Sequence, residues 1–184
     1  NAKRDFELQR EIFQADQRGG SARTERTRYL GAMAALALAQ PAVDDYKKVA
    51  LVEPLQRSLK TKKAKLEDAL KGYAVAADYG VADASTAATF HTAALYQDFG
   101  QAMLKSQRPK GLKKLELEQY NVLLEEQAFP FEEKAITLHE INAKRSAQGV
   151  YDEWVSKSFA ALRTLKPGRY ARAERVEGVI DAIR

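Results

Sequence analysis

Apolar residues recur along this chain at spacings of three, four and seven, which predicts helices from one end to the other. Residues 3–17 read as a first helix, with Phe6, Ile12 and Phe13 as sparse apolar positions, and Gly19-Gly20 breaks it. Ser21 or Thr24 can cap the next helix, because either hydroxyl can accept a hydrogen bond from an N-terminal amide. Tyr29, Leu30, Met33, Leu36, Ala37 and Leu38 then make this helix apolar on more than one side, so it is expected to be buried between neighbours. Pro41 interrupts or kinks it, and helical character resumes through Tyr46, Val49 and Ala50. Pro54 suits the start of a helix running to about Tyr79 through Leu55, Leu59, Leu66, Leu70, Tyr73 and Ala77. Gly80 ends it, and a new helix begins near Ala82 or Asp83 and continues to about Ser106. So short a turn makes these two helices pack antiparallel.

The clearest loop is Arg108-Pro109-Lys110-Gly111, and the best-patterned segment, 115–147, follows it. Leu117, Leu124, Phe131 and Leu138 recur every seven residues there, with Ala128, Ala135 and Asn142 at the alternate positions of the seam. Pro130 lies inside, so a kink near 127–130 is expected in one bent helix. Gly149 stops this helix, and 150–165 forms the next, with Trp154, Val155, Phe159 and Leu162. Trp154 is expected to be largely buried against the long helix near Ala143 or Ala147, where small residues leave room for an indole. Pro167-Gly168 ends that helix, and 170–183 reads as a last one, with Val176, Val179 and Ile180 on one side. Gly80-Val81 and Gly149-Val150 lie 69 residues apart, an offset that also relates Asp83 to Asp152 and Phe90 to Phe159. Two hairpins with equivalent turns are what a helical solenoid shows.

The fold class expected is therefore all-α, an antiparallel helical-hairpin stack with unusually long helices. Residues 1–20 are expected to form an N-terminal helix, with Asn1-Ala2 read as a tag remnant, and 21–184 a single helical domain, expected to be a fragment of a longer protein. At 45% hydrophobic and 30% charged residues, the chain of 184 is of the folded rather than the disordered class. Without cysteine it has no disulfide, thiolate metal site or cysteine nucleophile. No apolar run approaches the roughly 20 residues needed to cross a bilayer. The net charge of +5 is spread along the chain, and its densest run, Lys60-Thr61-Lys62-Lys63-Ala64-Lys65, reads as a solvated helical face. No specific nucleic-acid partner follows from it.

Several segments together carry a family resemblance. They are Tyr79-Gly80-Val81-Ala82, Ala94-Leu95-Tyr96-Gln97-Asp98-Phe99-Gly100, Arg108-Pro109-Lys110-Gly111-Leu112 and Leu117-Glu118-Gln119-Tyr120, then Leu123 through Ile136, Gly149-Val150-Tyr151-Asp152-Glu153-Trp154 and Pro167-Gly168-Arg169-Tyr170. The stretch resembles a proteobacterial group of tetratricopeptide-repeat-like proteins. Ala93, Tyr96 and Gly100 fit the small–aromatic–glycine spacing of a first repeat helix, Ala128 and Ala135 the small positions of a second, and Phe159 and Pro167 its aromatic and closing proline. Such proteins are similar to envelope components encoded near proton-driven motors of the Tol and Exb type. The resemblance implies a TPR-like α-solenoid, a periplasmic or cell-envelope location, and Tol/Exb-type motor components as partners.

Candidate chemistry is sparse. His91 and His139 are the only histidines. Counted from the loop at 108–111 they sit at heights roughly 15 Å apart, which argues against a shared metal. Each is read as a structural or surface residue. No serine or threonine is expected to have a histidine partner or a strand–turn–helix setting, so no nucleophile is predicted. No cofactor and no metal are expected, and no enzyme activity. The long helix carries two acidic rows, Glu118-Glu125-Glu132 and Glu126-Glu133-Glu140, read as a solvated face or as a strip that docks a basic partner segment. Tyr73, Tyr79, Tyr96, Phe99, Tyr120, Tyr151 and Trp154 lie near helix turns, as core packing or as anchors for a peptide. The candidate partner-binding residues are Tyr96, Tyr120, Glu118, Glu125 and Glu132. The function expected is a non-enzymatic scaffold for protein–protein interactions. A self-associating homodimer is the alternative, and a helical-bundle enzyme a more distant one.

Overall fold

The computed structural model describes residues 2–171, and every regular element among them is a helix. In chain order these are α1 (Ala2–Arg18), a 3-10 turn (Gly20–Ala22), α2 (Glu25–Leu38), α3 (Gln40–Lys48), α4 (Leu55–Asp78), α5 (Ala82–Leu104), α6 (Lys114–Ser146), α7 (Glu153–Leu165) and α8 (Pro167–Tyr170). The helix expected over 170–183 lies almost entirely outside the described residues. Among the described residues no helix is long and apolar enough to cross a membrane.

The punctuation follows the local chemistry. Thr24 caps α2: its hydroxyl accepts from Thr27 N at 3.2 Å, and Thr27 Oγ1 accepts from Thr24 N at 2.9 Å. Pro41 sits in the first turn of α3, so the interruption after α2 is one residue, Ala39, itself in helical conformation. Gly80 and Gly149 take φ values of +66° and +83°, a left-handed conformation that other residues adopt only with strain. The two turns then diverge. α5 starts two residues after Gly80, with Val81 as its cap residue, whereas α7 starts four residues after Gly149, where the Asp152 carboxylate accepts from Trp154 N and Val155 N. Asp83 lies inside the first turn of α5 and is not the counterpart of Asp152.

α5 and α6 run antiparallel. Along α5 and α6, Arg108 meets Asn121, Gly100 meets Ala128, and Thr86 meets Asn142, so sequence numbers climb on one helix as they fall on the other. The main core joins Ala35, Ala39, Tyr46, Leu66, Tyr73, Leu95, Phe99 and Met103. Small residues set its spacing. A Cβ on Gly72 would stand 2.8 Å from Ala39 Cβ, and one on Gly31 2.8 Å from the Tyr79 hydroxyl. This close approach corrects the reading of α2. Gly31, Ala32, Ala34 and Ala35 face the neighbours, while Tyr29, Leu30 and Met33 are exposed. The helices come together through the smallest side chains, which turns the large ones outward.

Two charged groups are buried and paired. Asp16, on α1, accepts from Arg23 Nη2 at 2.7 Å and Nε at 3.1 Å. Burial opposes its ionisation, but hydrogen bonds from Arg23, Tyr79 and Thr27 outweigh it and hold the carboxyl below its usual range. Lys62, expected on a solvated face, is buried. Its ammonium donates to the carbonyls of Val49 at 2.8 Å and Tyr46 at 3.2 Å and lies 4.1 Å from the centre of the Tyr46 ring. It closes the C-terminal end of α3, where unpaired carbonyls and the helix dipole favour a cation.

α6 continues through Pro130 without a break. Proline leaves the Glu126 carbonyl without its helical amide, and both residues are exposed, so water can serve that carbonyl. On the inner side, Gly100 of α5 meets the same stretch. A Cβ there would stand 3.3 Å from Ala128 O and 3.5 Å from Phe131 Cβ.

Candidate functional site

α6 carries the feature that calls for a functional reading. Its inner seam is the expected one: Leu124, Ala128, Ala135 and Asn142 are buried, and Leu117, Phe131 and Leu138 are half-buried. Its C-terminal half is covered on a second side by α7, where Ile136 and His139 are also buried. Among the described residues the N-terminal half has no such cover. Leu115, Val122 and Phe129 are 65%, 52% and 62% exposed. They too are spaced by seven, but two residues ahead of the inner seam, which on a helix of 100° per residue places them on the opposite side.

Each of these residues is bordered one turn on by the candidate acidic row. Glu118, Glu125 and Glu132 follow them at three residues, and Glu126 and Glu133 follow Val122 and Phe129 at four, so both flanks are acidic. All five carboxylates are exposed, and none forms an ion pair among the described residues. Glu140 ends the second row differently. Lys166, Arg169 and Tyr170 gather on it, at 3.1, 3.8 and 3.3 Å, and its carboxyl is held below the usual range, first by the hydrogen bond from Lys166.

The two candidate tyrosines belong elsewhere. Tyr96 is half-buried against Phe131, with the Lys134 ammonium 5.1 Å from its ring centre. Tyr120 is half-buried under the Arg108 guanidinium and lines a shallow apolar cavity of about 250 Å³ between α4 and α6, with Leu55, Leu59, Leu123 and Leu124. Tyr120 lies around α6 from the acidic row and Tyr96 belongs to α5, so the structure brings Glu118, Glu125 and Glu132 together and leaves Tyr96 and Tyr120 out. Sequence reading missed Leu115, Val122 and Phe129, although a second seven-residue phase in the same segment carried the signal.

Three expectations about the hairpins need correction. First, Trp154 is partly buried, as expected, but its ring contacts are on α5, 5.5 Å from Phe90 and 4.7 Å from His91. In α7 the residues aimed at α6 are Val155, Ser158 and Leu162, and Trp154 is turned about 100° from Val155. Second, the histidines are not separated in height as expected, because Phe90 contacts both rings, at 5.6 Å for His91 and 5.5 Å for His139. The loop after α5 folds back so that Arg108 reaches Asn121, which leaves the first two turns of α6 beyond the end of α5. Third, a serine does stand beside a histidine. Ser158 Oγ lies 3.1 Å from His139 Nδ1 and also accepts from Asn142 Nδ2 at 3.0 Å.

That pair belongs to a buried polar seam joining α5, α6 and α7. Asn142 Nδ2 also donates to Thr86 O at 3.0 Å, and its Oδ1 accepts from Arg145 Nη1 at 2.6 Å. The Thr86 hydroxyl donates to Asp152, the cap of α7. His139 Nε2 is buried with no hydrogen-bond partner among the described residues, and burial pushes the imidazole pKa down to about 4. Ser158 and His139 are at most 1% exposed, so the pair is closed to a substrate. No group of three or more potential metal ligands occurs among the described residues. Compared with protein-family models, curated proteins and solved structures, the chain matches none.

Proposed function

We propose that the protein is a non-enzymatic helical scaffold that holds another polypeptide on the outward face of α6. The observation that carries this reading is the regular apolar stripe of Leu115, Val122 and Phe129, left uncovered on a helix whose other half is covered on two sides. A contiguous exposed apolar stripe rimmed by charge is the mark of an interaction surface. The antiparallel hairpins and the glycine turns at Gly80 and Gly149 support a tetratricopeptide-like solenoid as the frame that presents it. The resemblance to tetratricopeptide-like envelope proteins supports a periplasmic or envelope location and Tol/Exb-type motor subunits as the partners.

A photo-crosslinking residue placed at Phe129 in the full-length protein, in its native cells, tests the reading. Discrete crosslinked proteins from position 129, and none from the exposed position 68 on α4, are the expected result. Recovery of inner-membrane motor subunits would add the envelope assignment. An absence of crosslinks from 129, or the same set from both positions, would sink the scaffold reading.

A further inference from the structure

We propose that the occupant of the α6 strip is a basic amphipathic helix, lying alongside residues 115–133 with its lysines or arginines against the acidic flanks. The inference rests on the scaffold reading and names its partner. The spacing argues for a helix. Leu115, Val122 and Phe129 repeat every seven residues, the period at which two helices packed side by side keep their contacts in register. An extended peptide would be met by pockets spaced every second residue instead. The stripe spans 15 residues, a rise of about 21 Å, which a partner helix of about four turns covers.

Charge selects the partner. Residues 114–133 hold six glutamates and one lysine, whereas the whole chain carries a net +5. None of the five glutamates flanking the stripe forms an ion pair among the described residues. A second copy is a poor occupant. An antiparallel pairing centred on Val122 would set Leu115 against Phe129, but it would also set Glu118 against Glu126 of the other copy. A parallel pairing sets each glutamate row against itself. Like charges across a helix interface select against self-pairing, whereas lysine or arginine at the flanking positions of a partner converts the same rows into attraction.

The test uses three labelled synthetic 21-residue peptides and fluorescence anisotropy with the full chain. One is a helix with leucines at coiled-coil spacing and lysines on the flanks, the second has glutamates in place of the lysines, and the third is a scramble of the first. The lysine helix is expected to bind at least about tenfold tighter than either of the others. Raising salt from about 50 to about 500 mM should weaken it. The double variant Val122→Ser/Phe129→Ser should lose about tenfold, and the exposed Met33→Ser control on α2 should lose nothing. The triple variant Glu118→Lys/Glu125→Lys/Glu132→Lys should reverse the preference toward the glutamate helix, a gain that a misfolded protein could not show. Equal binding of the lysine helix and its scramble, or unchanged binding by the double variant, would overturn the proposal. So would a dimer in sedimentation that Val122→Ser/Phe129→Ser abolishes, or an intramolecular crosslink from position 129 to residues 172–184. Foreign proteins crosslinked at 129 in cells, with no preference among the peptides, would leave the scaffold standing and remove only the basic helix.

Discussion

The two halves of α6 continue one inner apolar seam and have different surroundings. From Ala135 to Ser146 the helix lies between α5 and α7, and the contact includes a buried polar seam of Asn142, Ser158, His139 and Thr86. From Lys114 to Phe129 the inner apolar row is buried or half-buried, while an equally regular outer row meets solvent. The covered half uses polar groups to fix which helices meet and in what register, because each buried donor and acceptor has few acceptable alternatives. The open half uses apolar groups with acidic borders, which specify a kind of neighbour without supplying one. Burial of a polar group and exposure of an apolar one are thus the two informative departures on the same helix.

The contrast can be broken most severely at Asn142. Asn142→Ala removes the donor to Thr86 O and Ser158 and the acceptor for Arg145, leaving buried groups unpaired. A loss of about 3 kcal/mol is expected in urea unfolding followed by circular dichroism. A loss under 1 kcal/mol would show that the seam does not hold the covered half together.

Acid attacks the same half. Burial lowers the pKa of His139 from 6.5 to about 4, and that of His91 is lowered too, first by burial and then by the charges of Lys157 and Lys47. The unfolded chain therefore binds protons that the folded chain refuses. Stability is fully present above pH 6.5 and declines as pH falls toward about 4, by up to about 3 kcal/mol for His139. His139→Leu should flatten most of that decline in a pH series of unfolding midpoints.

At the boundary between the halves, Gly100→Val would push into Ala128 O and Phe131, at a cost of about 2 kcal/mol in thermal unfolding. The smallest effect belongs to the open half. Phe129→Ser should change stability by no more than about 0.5 kcal/mol, whereas Leu124→Ala, on the inner row, should cost about 3 kcal/mol. Equal costs at 124 and 129 would erase the distinction between the two rows.

Much of the frame was legible in the sequence because it depends on neighbours along the chain. Thr24 with Thr27, the glycines at 80 and 149, the loop at 108–111 and the inner row of α6 are all local signals. Burial directions were harder to read. That α2 turns Gly31 and Ala35 inward and Leu30 and Met33 outward depends on how closely α4 and α1 approach. That Lys62 points inward depends on the end of α3 lying beside it. Trp154 is directed by the phase of Val155, Ser158 and Leu162 against α6, which a count from the Gly149 turn does not reveal. Of the candidate site, the acidic row was visible, but its meaning comes from the apolar row beside it. The tyrosines drew attention through their chemistry, but Tyr120 lies on another side of α6 and Tyr96 on α5.

The placement of Trp154 gives the molecule its own optical probe. It is the sole tryptophan, its indole lies 4.7 Å from the His91 ring, and the Lys157 ammonium sits 4.1 Å from its ring centre. A protonated imidazole in contact with an indole quenches its fluorescence, whereas a neutral one does so weakly. Emission from the native protein should therefore dim below pH 6.5 as His91 takes up a proton, with far-ultraviolet dichroism still unchanged. The seat between α5 and α7 can thus be watched titrating from within, with no label attached.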